Sequence, residues 1–184
     1  MAVAGPAATT GSTHRWSADE VLALLADIPD PEIPVVSIAE LGMLRAVRPL
    51  GDGAFEVVVT PTYSGCPAME QIADDVRAVL ARHGIAATLS TQLAPAWTTD
   101  WMTPAARDKL RAYGIAPPGP TGADAGGAVL RFARRPAAGH AQAVPCPRCG
   151  GSNTSETSHF GSTACKALYR CLDCLEPFDH FKPY

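Results

Sequence analysis

Thr60-Pro61-Thr62-Tyr63-Ser64-Gly65-Cys66-Pro67 is the stretch on which the fold turns. Before it, Met43 to Val47 and Ala54 to Thr60 flank Gly51-Asp52-Gly53, which is hairpin chemistry. After it, Pro67 opens a helix whose apolar positions Met69, Ile72, Val76, Val79 and Leu80 recur at helical spacing, ending at His83-Gly84. A strand passing through a tight turn into a helix predicts an α/β domain. It also puts Cys66 at the N-cap position, where unpaired N–H groups and the helix dipole favour a thiolate. Gly65 allows a tight turn and close approach of a ligand, and Thr60, Thr62 and Ser64 set hydroxyls around the mouth. The alternative reading is a small buried cysteine at a strand–helix junction. No histidine stands near it in sequence, so a papain-type nucleophile has no visible base.

Working outward, Ser17 is a good N-cap for a first helix with Asp19 and Glu20 in its opening turn. Asp30-Pro31-Glu32-Ile33-Pro34 stops that helix at its prolines, and Ile38 to Gly42 is a short link. Ala86 to Leu93 alternates as a strand, and Pro104 to Tyr113 is a short helix closed by Gly114. The expected organisation is a tail over 1–14, then a small α/β sandwich over 15–116. A Pro/Gly-rich linker follows over 117–143, with a candidate strand at 128–133. The segment Pro95 to Met102 carries Trp97 and Trp101 four apart, a spacing that usually anchors a loop to the core. If exposed, the pair would instead suit a protein partner.

Residues 144–184 form the second expected domain. Five of the six cysteines lie in the last quarter of the chain, and four make two knuckles, Cys146-Pro-Arg-Cys149 and Cys171-Leu-Asp-Cys174. Paired thiolates at this spacing wrap one ion at a tight turn, and two knuckles on adjacent hairpins close an all-sulfur tetrahedral cage. The pattern predicts a zinc-ribbon-like β domain. Zinc is the expected ion, with iron as the alternative that tetrahedral sulfur also suits. Cys165, in Gly161-Ser162-Thr163-Ala164-Cys165-Lys166, stands outside the knuckles as an extra thiol that Lys166 could help hold as a thiolate; it reads as a spare thiol on the insert, an exchange ligand or a residue packed inside. His159 could enter a mixed site only if a cysteine left, and His180 is expected on the surface of the last strand.

Composition bounds the function. The chain has 184 residues, 47% hydrophobic, with a net charge of −3. Residues 1–116 carry 8 Lys+Arg against 13 Asp+Glu, and residues 117–184 carry 7 against 5. Neither half has the dense basic face that a phosphate backbone needs, so nucleic acid is not an expected partner. No apolar run approaches the roughly 20 residues that cross a bilayer, and the opening residues lack a signal-peptide pattern. The expectation is a cytoplasmic protein whose CxxC pairs hold metal rather than disulfides.

Three spaced motifs carry a resemblance. Asp30 to Pro34, Ser37-Ile38-Ala39-Glu40-Leu41-Gly42, and the Thr60 to Pro67 turn together resemble the MIP18 (DUF59) family, over roughly residues 17–95. That family is associated with iron–sulfur cluster assembly. Ser158 to Cys171 and Cys174 to Lys182 resemble the tail of the accessory D components of phenylacetyl-CoA epoxidase systems. The resemblance implies a maturation role, with Cys66 as transient ligand to iron or a cluster and Asp30 and Glu32 in the family's acidic loop. It implies the reductase and oxygenase subunits of the epoxidase as partners, and leaves a homodimer open. The residues agree with an accessory rather than a catalytic part. The chain has no Glu-x-x-His helix pairs for a di-iron site, no ferredoxin C-x4-C-x2-C run and no Gly-rich dinucleotide loop. A structural component that docks on the oxygenase without cluster transfer is the alternative, and a Cys66 nucleophile is a more distant one.

Overall fold

A computed structural model describes residues 14–119 and 144–184. The tail and the candidate strand at 128–133 therefore lie outside the described residues, apart from His14. Helix α1, Ala18–Ala26, opens as the sequence predicts. The Ser17 hydroxyl accepts from the Glu20 N–H while the Glu20 carboxylate accepts from Ser17 N, a full capping box. Its buried face is Val21 and Leu25.

Strands β1, Leu44–Gly51, and β2, Ala54–Val59, form the expected antiparallel hairpin. Gly51, Asp52 and Gly53 all take left-handed φ there, +92°, +48° and +77°. β1 runs further than the sequence suggests, through Arg48-Pro49-Leu50. It is an edge strand, so a proline that cannot donate to a ladder is tolerated. Helix α2, Met69–Arg82, buries Ile72, Val76 and Leu80, and leads to β3, Ala87–Thr91, parallel to β2. β2 is thus the centre of a three-stranded sheet ordered β1-β2-β3. A short 3-10 turn, Thr99–Trp101, precedes helix α3, Pro104–Tyr113, which Thr103 caps at one end and left-handed Gly114 closes at the other.

The second sheet is where the chain departs from a simple two-bead reading. Its strands are β4, Ile115–Ala116, β5, Thr154–Ser158, β6, Lys166–Cys171, and β7, Pro177–Phe181, in the order β4-β7-β6-β5. β4 follows α3 directly and pairs in parallel with Asp179 and His180 of β7. The main core also takes in Cys165 and Phe181, alongside Val57, Val59, Ile72 and Trp97. The ribbon is therefore stitched to the α/β sandwich by a strand and by shared packing. Among the described residues, the ribbon's own core is Ala116, Val144, Cys146, Cys171 and Phe178.

Trp97 is an anchor. It is buried, its indole N–H donates to the Leu41 carbonyl at 2.9 Å, and its ring packs against Phe181 and Tyr184. Trp101 is half-buried under the Arg45 guanidinium, 3.6 Å from its ring centroid. His180 is a correction: it is buried against the Tyr169 ring, because its strand is covered by β4 and β6 rather than facing water.

Candidate metal centres

In the ribbon, the Cys146-Pro-Arg-Cys149 turn and the Cys171-Leu-Asp-Cys174 turn face each other. All four sulfurs lie within 4.8 Å of one another. Cys146 Sγ is 3.8 Å from Cys174 Sγ, and Cys149 Sγ is 3.6 Å from Cys171 Sγ. Four thiolates placed tetrahedrally at the usual Zn–S length of about 2.3 Å stand roughly 3.8 Å apart. The sulfurs thus already have the spacing that zinc imposes. Backbone N–H groups of Gly151 and Cys174 donate to Cys149 and Cys171 sulfur, at 3.4 and 3.5 Å, as thiolates in such knuckles require. His159 takes no part; it is exposed beside Glu156 and Phe160. The geometry is that of a four-cysteine structural zinc site.

The second centre lies at the β2–α2 turn. Helix α2 begins later than Pro67 suggests: its N-cap is Ala68, which carries no capping side chain. Cys66 is in the preceding turn, its N–H donating to the Tyr63 carbonyl at 3.1 Å. Burial pushes the half-buried Cys66 thiol above the ordinary cysteine value. The Ala68 N–H and the Thr62 hydroxyl pull the other way, and Glu32 and Asp30 add to the rise. The helix-start argument has the right sign, but desolvation wins. Gly65 has no left-handed φ, and a Cβ there would meet the Tyr63 ring at an ordinary 3.5 Å, so the backbone does not demand glycine. Ser64 is exposed, whereas Thr60 and Thr62 are buried; the Thr60 hydroxyl has no hydrogen-bond partner, and the Thr62 hydroxyl has only the Cys66 sulfur near it.

Asp30 is buried, and its Oδ1 accepts from the N–H groups of Glu32 and Ile33 at 2.9 and 2.8 Å. Burial raises its carboxyl despite those bonds and the attraction of Lys166. Glu32 is likewise raised, by burial and then by Asp30, while Lys166 and the Thr163 hydroxyl hold it back. Both acids are within electrostatic reach of Cys66. The acidic loop and the cysteine turn, apart in sequence, are thus near enough to act on one another electrostatically.

Sequence reasoning singled out Cys165 and Lys166 but not what lies across from them. Cys165, only 4% exposed, lies in the same cluster, and Glu32, Lys166 and Cys66 all act on its thiol. Burial raises it first; the Thr163 hydroxyl, 2.9 Å from its sulfur, lowers it. Lys166 is also 4% exposed, with Asp179 as its ion-pair partner at 3.8 Å. Tyr63 feels both thiols and Glu32. The only signal in the sequence was a cysteine beside a lysine at the start of a strand, which says nothing about what lies across from it.

An α/β sandwich with a thiol–carboxylate mouth, joined to a four-cysteine ribbon, defines a class: an iron–sulfur-assembly-type domain carrying a zinc ribbon. Residues 18–85 match the family described as iron-sulfur cluster assembly protein, and residues 133–182 match the PaaD zinc beta ribbon domain. Over 170 residues the chain is 50% identical to the Escherichia coli protein described as the D component of 1,2-phenylacetyl-CoA epoxidase, covering 89% of this chain and 91% of that one. It is 33% identical over 89 residues to a Porphyromonas gingivalis Fe-S protein maturation auxiliary factor, covering 46% of this chain and 82% of that one. A similar factor of Bacillus subtilis, YitW, is 30% identical over 95 residues, covering 52% and 86%. The chain belongs to the family of phenylacetyl-CoA epoxidase D components. Among the described residues, no helix is long and apolar enough to cross a membrane.

Proposed function

We propose that this chain is an iron–sulfur maturation factor serving a phenylacetyl-CoA epoxidase-like system, and that it takes up iron or a cluster on Cys66. The observation that carries this reading is the mouth itself. Cys66, a half-exposed thiol, lies within electrostatic reach of two carboxylates in the part of the chain that matches iron–sulfur assembly proteins. Asp30, Glu32, Cys66 and Cys165 all have their acid forms favoured by burial. Potential negative charge is crowded into little water, and a cation is what such a group lacks. The half-exposed position of Cys66 suits a ligand that must let its cargo go.

The ribbon zinc serves structure in this reading, because four cysteines leave no open position for exchange. The partners would be the oxidoreductase components of the epoxidase system, with the reductase as recipient of the cluster. A second reading is a docking component, and the ribbon's exposed Leu172 and Leu175, on the knuckle that holds Cys171 and Cys174, favour it. The Trp segment does not add to that surface, since Trp97 is buried.

The test is metal and acid-labile sulfide per chain, on anaerobically purified wild type and Cys66→Ser. The expected result is zinc in both, with iron and sulfide in wild type only. A strain lacking the protein should make reductase that is folded but poor in cluster. Full cluster content in that strain, with stable co-purification of the components when all are present, would favour docking instead.

A further inference from the structure

We propose that the ribbon carries a binding site for an aryl-acyl group, as a small aromatic acid or its thioester, in the cavity over the face of its sheet that bears His180. The proposal is independent of the maturation reading and of Cys66. Side chains alternate along a strand, and the β6–β7 register pairs Ala167 with His180 and Tyr169 with Phe178. Ala167, Tyr169, His180 and Lys182, the last one residue past β7, line a cavity of about 760 Å³. Sites for small molecules run from roughly 300 to 1,000 Å³. The floor has room because the residue opposite His180 is an alanine.

The imidazole of His180 is what points to a ligand. It is 8% exposed and meets the Tyr169 ring edge-on at 5.3 Å, yet among the described residues neither ring nitrogen has a hydrogen-bond partner. A buried polar group left unpaired is costly. A neutral imidazole carries one N–H, and with neither nitrogen tied either can hold it toward the cavity. The surrounding charge decides what should meet it. Lys182 Nζ donates to the His159 carbonyl at 3.2 Å and lies 4.5 Å from the Phe160 ring centroid, with no carboxylate partner among the described residues. Glu156, also at the cavity, is engaged by the Tyr169 hydroxyl at 3.1 Å and by His159 at 3.2 Å. An unpaired cation beside an occupied acid favours an oxygen acceptor, a carbonyl or carboxylate, over a base.

The remainder of the ligand is apolar and flat. Pro117 and Pro118 after β4, and Pro145 and Pro147 around the first knuckle, wall the cavity together with the rings of Tyr169 and Tyr184. Pyrrolidine and phenol rings offer flat faces, on which an aromatic ring packs offset or edge-on. The site binds and does not transform: Cys146, the thiol that borders it, is taken by the zinc cage.

The experiment titrates the full chain, with its ribbon zinc in place, with benzoate and with benzoyl-coenzyme A, using acetate and acetyl-coenzyme A as the counterparts without a ring. Affinity is read by calorimetry, and the His180 imidazole is followed by NMR. At least one aryl compound should bind at least about tenfold tighter than its acetyl counterpart, the gain expected from burying one ring. The His180 ring resonances should move in step with saturation. Binding of benzoate would assign the site to the free acid, and binding of benzoyl-coenzyme A alone to the thioester. His180→Leu, which removes the donor, should weaken binding by about tenfold or more, and Ala167→Leu, which fills the floor, should abolish it. Zinc content and the amide spectrum check that both variants fold. No binding by either aryl compound overturns the proposal, as does equal affinity for the acetyl counterparts. So does binding that leaves the His180 resonances of wild type unmoved, whatever the variants do.

Discussion

Gly42 closes the Ser37 to Gly42 turn with a φ of +74°, and a Cβ built on it would lie 2.7 Å from both Cβ and O of Trp101. Two costs coincide there, a left-handed backbone and a clash with main chain that cannot swing away. Gly42→Ala should therefore destabilise by more than the 1 to about 3 kcal/mol of backbone strain alone, read from urea unfolding. Loss below about 0.5 kcal/mol would mean that the Trp101 segment moves freely. The turn could be picked out of the sequence as a motif, but the reason for its glycine could not, since Trp101 arrives from a distant segment. The same holds for the mouth. Asp30, Glu32 and Cys66 could each be singled out by residue type and local turn chemistry. Their meeting with Cys165 and Lys166 depends on how β6 docks, which no local pattern encodes.

At the scale of elements, what was legible is what is decided locally. α1 carries its capping box, and α3 has Thr103 at one end and Gly114 at the other, so both could be read from neighbours in sequence. The start of α2 could not, because the Cys66 turn holds Pro67 and Ala68 outside the helix. β4 is two residues long and exists only because β7 lies beside it. That same pairing covers His180 and gives β7 a pH dependence. Burial lowers the His180 pKa, and only Glu156 pulls it back up. The groups packed around it are the Tyr169 ring, Ala167 across the ladder and β4. The neutral imidazole is thus the folded form. Its contribution to stability is full above the ordinary histidine value of about 6.5 and is lost as pH falls through the lower folded value. His180→Gln should flatten that arm. Between roughly pH 7 and pH 5, wild type should lose more thermal stability than the variant, with zinc content followed in both. Equal losses would assign acid sensitivity to the ribbon thiolates alone.

Across the whole molecule, the ribbon and the sandwich are mechanically connected, and zinc removal is the way to see it. Among the described residues the ribbon's own core is small, whereas structural zinc brings about 10–16 kcal/mol to small domains of this kind. Take the ion away and β7 should lose its order. β7 carries Phe181, which packs on Trp97, and pairs with β4, while Lys182 and Tyr184 just beyond it fix Cys165 and the Thr98–Thr99 turn. The damage should therefore cross into the sandwich but stop short of its centre. Val57 and Val59 of β2 are held by the β1–β2–β3 ladder and by α2, none of which passes through the ribbon. Chelation of the zinc, or Cys146→Ser, should expose Trp97 and shift its fluorescence to the red, with Trp97→Phe as the control. It should also free the amides of Thr99 and Lys182 for exchange while those of β2 stay protected. Trp97 emission unchanged after zinc loss would show that the sandwich closes over its core without the ribbon.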